Sequence, residues 1–317
     1  MKALRQSPPS VRSGGAATIS RAGRPPRTGL EIGQRRWGLA LALPSILYFL
    51  VFWVYPFFSA TYYSFTDYDF VQKPEWTGFE NYRFMFSDPG FTNSVRVTLL
   101  FAVGTIVPTI VLAFCLAVPL AKASRSSNVL RTLLFLPAVV PLVAASFLWQ
   151  GMYASDGLVN RVLGWFGVDG KSWLQDPDWA LRALIVMVIW KSLGLYMLLL
   201  IAGLQTLPQN VYEAAALDGA RPIRTFFQVT LPMMRKQLLF VVVIATVAAM
   251  QSFVPAYLLT KGGGPGTATE VLPMYLYTNA FAFTDVGLAS AASVVLFLAL
   301  LVLSLIQFRV FKMGERA

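Results

Sequence analysis

The sequence has no histidine and only one cysteine, Cys115, among its 317 residues. A disulfide framework needs a second cysteine, and the usual zinc and haem sites need histidine or several cysteines, so these classes are excluded. Redox chemistry, a metal site and a cofactor bound by this chain are therefore not expected. The sequence also lacks the GxxxxGK[ST] phosphate loop, so it predicts no ATP site and no enzymatic activity of its own.

Charged residues are scarce as well, at 13% against 56% hydrophobic residues, and the mean hydropathy is +0.60. A soluble protein needs more polar surface than this, so the composition predicts a membrane protein. The formal net charge of +11 on its own would fit a nucleic-acid partner. However, eight of the 26 lysines and arginines precede the first apolar run. Membrane orientation explains this excess better, and no nucleic-acid partner is predicted.

Six apolar stretches reach the length of about 20 residues that a helix needs to cross a bilayer. We therefore predict an all-α membrane protein, built as a bundle of six transmembrane helices within residues 37–311. The predicted spans cover residues 37–65, 95–121, 132–153, 181–204, 237–259 and 286–308. Residues 271–283 are apolar but too short to cross, which predicts an interfacial or re-entrant segment.

The basic residues predict the orientation of the bundle. Most of them fall on one side if both termini lie in the cytoplasm, as the positive-inside rule requires. We therefore predict a multi-pass protein embedded in the lipid of the bacterial inner (cytoplasmic) membrane, with cytoplasmic tails at 1–36 and 312–317. The first tail is rich in Pro, Gly, Ser and Arg without a hydrophobic period, so it is predicted to be disordered.

Proline and glycine mark irregular places in the apolar stretches. Neighbouring helices can satisfy the carbonyls that a proline leaves free, so prolines within the spans predict kinks rather than breaks. These prolines stand at positions 44, 56, 108, 119, 137 and 141. The run 260–266 between the last two spans is typical, by composition, of a flexible external turn. Its candidate residues are Gly263, Gly264 and Pro265.

The loop 205–236, between the fourth and fifth spans, contains a segment that predicts a short exposed helix. Pro208 suits a first helical turn, residues 213–217 are good helix formers, and Gly219 can take the left-handed conformation that ends a helix. Small side chains in this helix allow close approach by another protein, and Glu213 and Asp218 can bond its basic or backbone donors. By spacing alone, the pattern fits either a docking element or an ordinary helical hairpin.

A family resemblance carried by particular residues of this loop favours the docking element. The sequence Glu213-Ala214-Ala215 is followed after three residues by Gly219, and later by Leu231-Pro232. This pattern resembles the EAA loop of ABC importer permeases, except that valine at 229 replaces the usual isoleucine. The resemblance implies a coupling helix that sits in a cleft of a cytoplasmic ATPase. The residues to which it assigns ATPase coupling are Glu213, Ala214, Ala215, Asp218, Gly219, Leu231 and Pro232.

Further motifs resemble the permeases of sugar importers of the maltose and glycerol-3-phosphate type. They are Gly78-Phe79-Glu80-Asn81-Tyr82, Ser87-Asp88-Pro89, Leu130-Arg131-Thr132 with Leu136-Pro137, and Leu259-Thr260-Lys261-Gly262-Gly263-Gly264-Pro265. The resemblance implies the fold of a type I ABC importer permease and the role of the first permease subunit. It also implies the partners: a second homologous permease in a heterodimer, two ATPase subunits that bind ATP-Mg, and a periplasmic or extracellular solute-binding protein. The implied substrate is a sugar, an oligosaccharide or a polyol such as glycerol-3-phosphate.

A charge in the fourth span points to a substrate pathway. Lys191 is costly in lipid, so its side chain should face protein or a water-filled cavity, unless it snorkels to one end of its helix or pairs structurally with another. An aromatic ring beside a bare glycine on one helical face suits the stacking of a sugar, and core packing is the alternative. In the fifth span, the neutral side chains of Gln251 and Ser252 could add hydrogen bonds to a sugar. The candidate pathway residues are Trp190, Lys191, Gly194, Met197, Gln251 and Ser252.

Three other functions fit the composition less well. An ion-coupled secondary transporter normally has acidic or histidine relays within the membrane, and Asp285, near the end of a span, is the closest acid. A membrane-embedded enzyme needs paired carboxylates or a histidine-based dyad in the spans, which the sequence does not provide. A purely structural membrane subunit remains an alternative. Binding of an ATPase by the loop around Glu213 would distinguish an importer permease from such a subunit.

Overall fold

The computed structural model describes residues 29–313, so the predicted tail over residues 1–28 and residues 314–317 lie outside the described residues. The chain divides into two compact units, residues 1–56 and 57–317. Within residues 29–313 the structure is helical, and a single bridge between Thr66 and Trp76 is the only strand-like pairing. The prediction of an all-α fold is confirmed.

In the first unit, helix α1 (Gly29–Phe49) is followed by a π-helical turn (Leu50–Val54). The helix begins ahead of residue 37, where the first span was predicted to start, so residues 29–36 are helical and not part of a structureless tail. Apolar side chains such as Leu41 and Phe52 are exposed along this stretch. An exposed apolar surface of this extent requires lipid or another protein to cover it.

The second unit begins within helix α2 (Tyr55–Tyr63) and contains the rest of the helices. They are α3 (Glu80–Ser87), α4 (Pro89–Leu120), α5 (Arg125–Val139), α6 (Leu142–Met152), α7 (Leu158–Trp165), α8 (Pro177–Gln205), α9 (Gln209–Leu217), α10 (Pro222–Thr225), α11 (Leu231–Met233), α12 (Arg235–Met250), α13 (Val254–Leu259), α14 (Leu272–Tyr277) and α15 (Val286–Met313). Two π-helical turns, Phe226–Thr230 and Thr278–Ala282, and one 3₁₀ turn, Pro265–Thr267, lie between them.

Five stretches of the described chain are long and apolar enough to cross a membrane as single spans. They are Ala40–Tyr63, Pro89–Leu120, Pro177–Gln205, Arg235–Leu259 and Val286–Val310. A sixth exists if α5 and α6 together form one span, and these two helices are bent by 97°. The predicted third span, residues 132–153, is therefore not one continuous helix, and the sixth predicted crossing is present only as this broken pair.

The break in the third span has a local cause. The ring of Pro141 disfavours helical backbone at the residue before it, and Val140 accordingly adopts an extended conformation with ψ 130°. Pro141 also has no N–H to donate to the preceding turn. The prediction of a mere kink at Pro141 is wrong, whereas Pro44, Pro108 and Pro137 do lie inside helices.

The core of the second unit lies around the two long helices α4 and α8, against which α5 and α12 pack. One apolar cluster includes Phe101 and Leu184, and a second includes Met197, Leu200 and Val241. Each of these five side chains has an exposed fraction of 0%. The long helices therefore pack closely against each other and position the loops at their ends.

Polar side chains cap both ends of α4. At its first turn the carboxylate of Asp88 accepts hydrogen bonds from the backbone N–H groups of Gly90 and Phe91, at 2.9 and 3.2 Å. At its last turn the guanidinium of Arg131 donates through Nε to the carbonyl of Leu120, at 2.9 Å. The negative charge and the positive charge each lie at the end that the helix dipole favours. These caps fix the length of the central helix.

Candidate functional site

The predicted coupling segment forms helix α9, which carries Glu213 on its exposed surface. The helix ends in a Schellman motif. The N–H of Gly219 donates to the carbonyl of Ala216 at 3.1 Å, and the N–H of Ala220 donates to that of Ala215 at 3.0 Å. Gly219 takes the required left-handed conformation, with φ +70°. The short exposed helix predicted in this loop is therefore present and ends at the predicted glycine.

Contacts with the bundle hold α9 in place. The hydroxyl groups of Tyr212 and Thr230 lie 3.2 Å apart, which joins the helix to the following π-helical turn. That turn packs on α4 through the rings of Phe226 and Phe114, whose centroids are 5.2 Å apart. Leu231 packs against the second core cluster. The Leu231-Pro232 end of the motif thus anchors the loop, while Ala214, like Glu213, faces outward.

Three large apolar side chains near α9 are exposed. The exposed fractions are 90% for Leu217, 75% for Ile223 and 60% for Phe227. Apolar side chains left exposed outside the candidate spans are typical of a surface that another protein covers. Sequence reasoning did not select them, although three large apolar residues in a loop outside any span were a usable signal. We call Leu217, Ile223 and Phe227 the apolar rim.

Lys191 is held by the break in the third span. Its Nζ donates to the carbonyl oxygen of Ala138 at 2.8 Å. In a continuous helix that carbonyl would accept from the N–H four residues later, but α5 ends at Val139 and leaves it free. The ammonium group is therefore paired with another helix, which was the structural alternative to a role in the substrate pathway.

The other three pathway candidates in α8 lie in packed positions. The ring of Trp190 meets that of Trp149 edge-on, at 5.5 Å between centroids. A Cβ built on Gly194 would lie 2.1 Å from the carbonyl oxygen of Leu134, so this glycine permits close contact between α8 and α5. Met197 is completely buried in the second cluster. The expected open face with a ring beside a bare glycine is therefore absent at these three positions.

Gln251 and Ser252 lie where the fifth span is interrupted, between α12 and α13. Gln251 is exposed and Ser252 is half-buried. Beside them the rings of Phe253 and Tyr257 stack with centroids 5.2 Å apart. Irregular backbone at membrane depth is tolerated only where it is covered by protein or lines a water-filled cavity. These two residues therefore keep a position compatible with a pathway, whereas those of α8 are packed.

A small cavity lies between α4, α8 and α12. Its volume is about 70 Å³, and its lining includes Thr105, Ser192, Tyr196 and Ala249. The hydroxyls of Thr105 and Ser192 donate to carbonyls of their own helices. None of the six predicted pathway residues lines it. Sites for small ligands usually measure about 300–1,000 Å³, so this cavity admits water but must widen before a sugar could enter.

The glycine-rich run forms a tightly bonded loop and not an open turn. The N–H of Gly264 donates to the carbonyl of Thr260 at 2.9 Å, and the N–H of Thr269 donates to that of Gly263 at 2.8 Å. The two threonine hydroxyls are buried and 2.7 Å apart. Gly264 has φ +76° and ψ −173°, a backbone region that is essentially restricted to glycine. The loop geometry thus depends on this residue, while Pro265 begins the 3₁₀ turn.

Replacing Gly264 with alanine is expected to destabilise the glycine-rich loop by about 1–3 kcal/mol. Alanine is strained in the backbone conformation of Gly264, and its Cβ would lie 2.5 Å from Oγ1 of Thr269. Gly266→Ala is the matched control, since Gly266 has φ +55° but no atom within 4 Å of its Cβ position. Thermal unfolding of the detergent-solubilised chain should show the larger loss for Gly264→Ala. Equal midpoints for the two variants would contradict this account.

An acidic group lies beside this loop. Burial raises the pKa of Glu270, and the nearby charge of Asp88 raises it further. The hydroxyl of Tyr275 donates to Oδ2 of Asp88 at 2.8 Å. Burial and this hydrogen bond raise the pKa of Tyr275. Among residues 29–313, no three histidine, cysteine, aspartate or glutamate side chains are grouped closely enough to hold a metal ion. The hydrogen bond between Tyr275 and Asp88 joins α14 to the first turn of α4.

Residues 110–315 match the family described as "Binding-protein-dependent transport system inner membrane component". The chain belongs to this family. It is 34% identical over 290 residues to the sulfoquinovosyl glycerol transport system permease protein SmoG of Agrobacterium fabrum, covering 89% of this chain and 92% of the relative. It is 32% identical over 271 residues to the sn-glycerol-3-phosphate transport system permease protein UgpA of Pectobacterium atrosepticum, covering 85% and 92%.

The fold is also found in a solved structure. A chain of a bacterial ABC transporter involved in the import of the acidic polysaccharide alginate superposes with a TM-score of 0.77 at 23% identity, covering 90% of this chain and 98% of that one. The resemblance to ABC importer permeases and the predicted type I permease fold are thereby confirmed. This protein is a multi-pass membrane subunit of a binding-protein-dependent ABC importer, and the family's role is transport across the membrane.

Proposed function

We propose that this permease carries a saccharide or a related polyol such as glycerol-3-phosphate, and that helix α9 couples its movement to a separate ATPase. The observation that carries the coupling proposal is the exposed helix α9 with the apolar rim beside it, anchored to α4 through Phe226 and Phe114. Exposed apolar groups next to the carboxylate of Glu213 are what a protein partner would bury. The names of the relatives support the substrate class.

The proposed assembly has four further features. Two ATPase subunits bind ATP-Mg beneath the cytoplasmic loops, a second homologous permease completes the pathway, and both termini of this chain lie in the cytoplasm of a bacterial cell. A solute-binding protein docks on the external loops 66–94, 154–180 and 260–285. The alginate transporter, which shares this fold, was crystallised in complex with a substrate-bound periplasmic protein, and this supports the docking step.

The proposed mechanism is alternating access. Closure of the ATPases would push α9, and the contacts of α9 and the following turn with α4 would pass that movement to the bundle. The cavity between α4, α8 and α12 would then widen toward one side of the membrane at a time. Ser192 and Tyr196 line this cavity, and Gln251 and Ser252 lie at the interrupted fifth span, so these four are the substrate contacts that we propose.

Affinity purification of the tagged chain, followed by mass spectrometry and reconstitution, tests this function. We expect an ATPase and a second permease to co-purify, and the reconstituted complex to take up a disaccharide or a polyol only with ATP and the binding protein. A chain that purifies alone and moves solute along an ion gradient without ATP would instead be a secondary transporter. A chain that purifies alone and moves nothing would favour a structural membrane subunit.

A further inference from the structure

A second and larger cavity lies at the ends of α6 and α13 that face the external side in the proposed orientation. Its volume is about 430 Å³, within the usual range of about 300–1,000 Å³ for small-ligand sites. Three separate segments line it: the end of α6 with Gln150 and Tyr153, the loop before α8 with Trp173 and Gln175, and the glycine-rich loop with Lys261. It lies apart from the cavity between α4, α8 and α12.

Two aromatic rings form one wall of this cavity, and their polar atoms are already bonded to protein. The hydroxyl of Tyr153 donates to the carbonyl of Ala183 at 3.0 Å. Nε1 of Trp173 donates to Oδ1 of Asn160 at 2.8 Å. The two ring centroids are 5.7 Å apart. Because the polar atoms of both rings are engaged, the rings are fixed in position and contribute an apolar surface to the cavity.

Asn160 organises the loop that carries Trp173. Its Nδ2 donates to the backbone carbonyls of Ala154, Ser155 and Lys171, at 3.2, 3.2 and 3.0 Å. Its Oδ1 also accepts from the N–H of Lys171 at 3.0 Å. The side chain is nearly buried, with an exposed fraction of 9%. A wall that is ordered before a ligand arrives lowers the entropy that binding costs.

The rest of the lining offers unused hydrogen-bonding groups. Within the described part of the chain, the side chains of Ser155, Ser172, Gln175 and Lys261 make no hydrogen bond or ion pair, and Gln150 reaches one carbonyl only at 3.5 Å. Hydroxyl, amide and ammonium groups thus line the cavity together with the two aromatic rings, and no carboxylate lines it. This chemistry suits a ring with an apolar face and many hydroxyl groups, and disfavours a cation.

We propose that this cavity is an external subsite that binds one sugar ring of the transported saccharide against Trp173, with Gln175 and Lys261 as hydrogen-bond donors. The inference rests on the proposed function, since it requires a saccharide substrate. The subsite would receive the sugar as it leaves the binding protein, before the pathway between α4, α8 and α12 opens. It therefore assigns part of the substrate selectivity to this chain.

The test uses the full chain with its co-purified subunits in nanodiscs, labelled with 5-fluorotryptophan. The ¹⁹F resonance that disappears in Trp173→Phe identifies the probe in the cavity. Maltose, trehalose and lactose are each titrated without the binding protein, with glycerol as a probe that lacks a ring. We expect a saturable shift of this resonance with at least one disaccharide and none with glycerol.

Two variants make the result specific to the cavity. Ser155→Phe should fill it and abolish the shift, and Gln175→Ala should weaken the apparent Kd at least threefold. Gln72→Ala, at another exposed glutamine of an external loop, is the matched control and should leave the Kd unchanged. Because Gln175 is exposed, its variant gives a result even if Ser155→Phe does not fold.

Two outcomes would overturn the subsite. These are the absence of a saturable shift with all three disaccharides and a shift that survives both cavity variants. ATP-driven uptake by the same preparations separates this failure from that of the proposed function. Disaccharide uptake without a shift removes only the subsite, whereas the loss of all ATP-dependent uptake removes the proposed function.

Discussion

Glu213→Lys is expected to reduce the amount of ATPase that co-purifies with the chain at least tenfold, and to reduce ATP-driven uptake by a similar factor. Glu213 is exposed on α9 and its side chain has no hydrogen-bond or ion-pair partner in the described part of the chain, so the exchange leaves the fold intact. Reversing a charge at the centre of an interface typically costs about 2 kcal/mol or more, which corresponds to roughly a thirtyfold loss of affinity.

The ratio of ATPase to permease after affinity purification measures this effect directly. Glu75→Lys makes the same charge change at an exposed acid in the loop between α2 and α3 and should keep the ATPase ratio of the wild type. Leu217→Ser is a second variant in the proposed coupling surface, and it leaves the core unchanged because Leu217 is 90% exposed. A wild-type ATPase ratio in both Glu213→Lys and Leu217→Ser would rule out α9 as the coupling element.

The sequence predicted the parts of this fold that depend on length and local chemistry. Hydropathy placed the spans, and Pro208 and Gly219 bracketed α9 because each residue has a defined effect on backbone conformation. It misjudged Pro141, since a proline in an apolar run can either kink a helix or break it, and tertiary contacts decide which. Here Lys191 of another helix donates to the carbonyl of Ala138. A contact between residues so far apart in the chain cannot be predicted from a local sequence pattern.

The pathway residues were harder to predict for a different reason. Helix α8 is apolar on all sides, so no hydrophobic periodicity indicates which face meets the cavity. Selecting the face by its charge and its glycine led to Trp190 and Gly194, whereas Ser192 and Tyr196 line the cavity between α4, α8 and α12. Successive residues of a helix point about 100° apart, so Gly194 and Tyr196 lie on different faces. Which face meets the cavity is decided by tertiary contacts.

Gly194→Ala is expected to destabilise the bundle by about 1–3 kcal/mol, the usual cost of forcing extra atoms into a packed core. The added Cβ would lie 2.1 Å from the carbonyl oxygen of Leu134 and 2.7 Å from Cα of Phe135. Both neighbours are backbone atoms, so no side chain can rotate away and α5 itself must move. That movement would also draw the carbonyl of Ala138 away from Lys191 and weaken their 2.8 Å hydrogen bond.

Gly151→Ala is the control, and its expected change in stability has the opposite sign. Gly151 also lies in a helix, but it is exposed and no atom lies within 4 Å of its Cβ position. Alanine there should stabilise the helix by up to about 0.5–1 kcal/mol, because glycine loses more backbone entropy on folding. Thermal unfolding in detergent should therefore move in opposite directions for the two variants. If Gly194→Ala unfolds no earlier than Gly151→Ala, then α5 and α8 do not meet through Gly194, and the packing that holds Lys191 at the break is wrong.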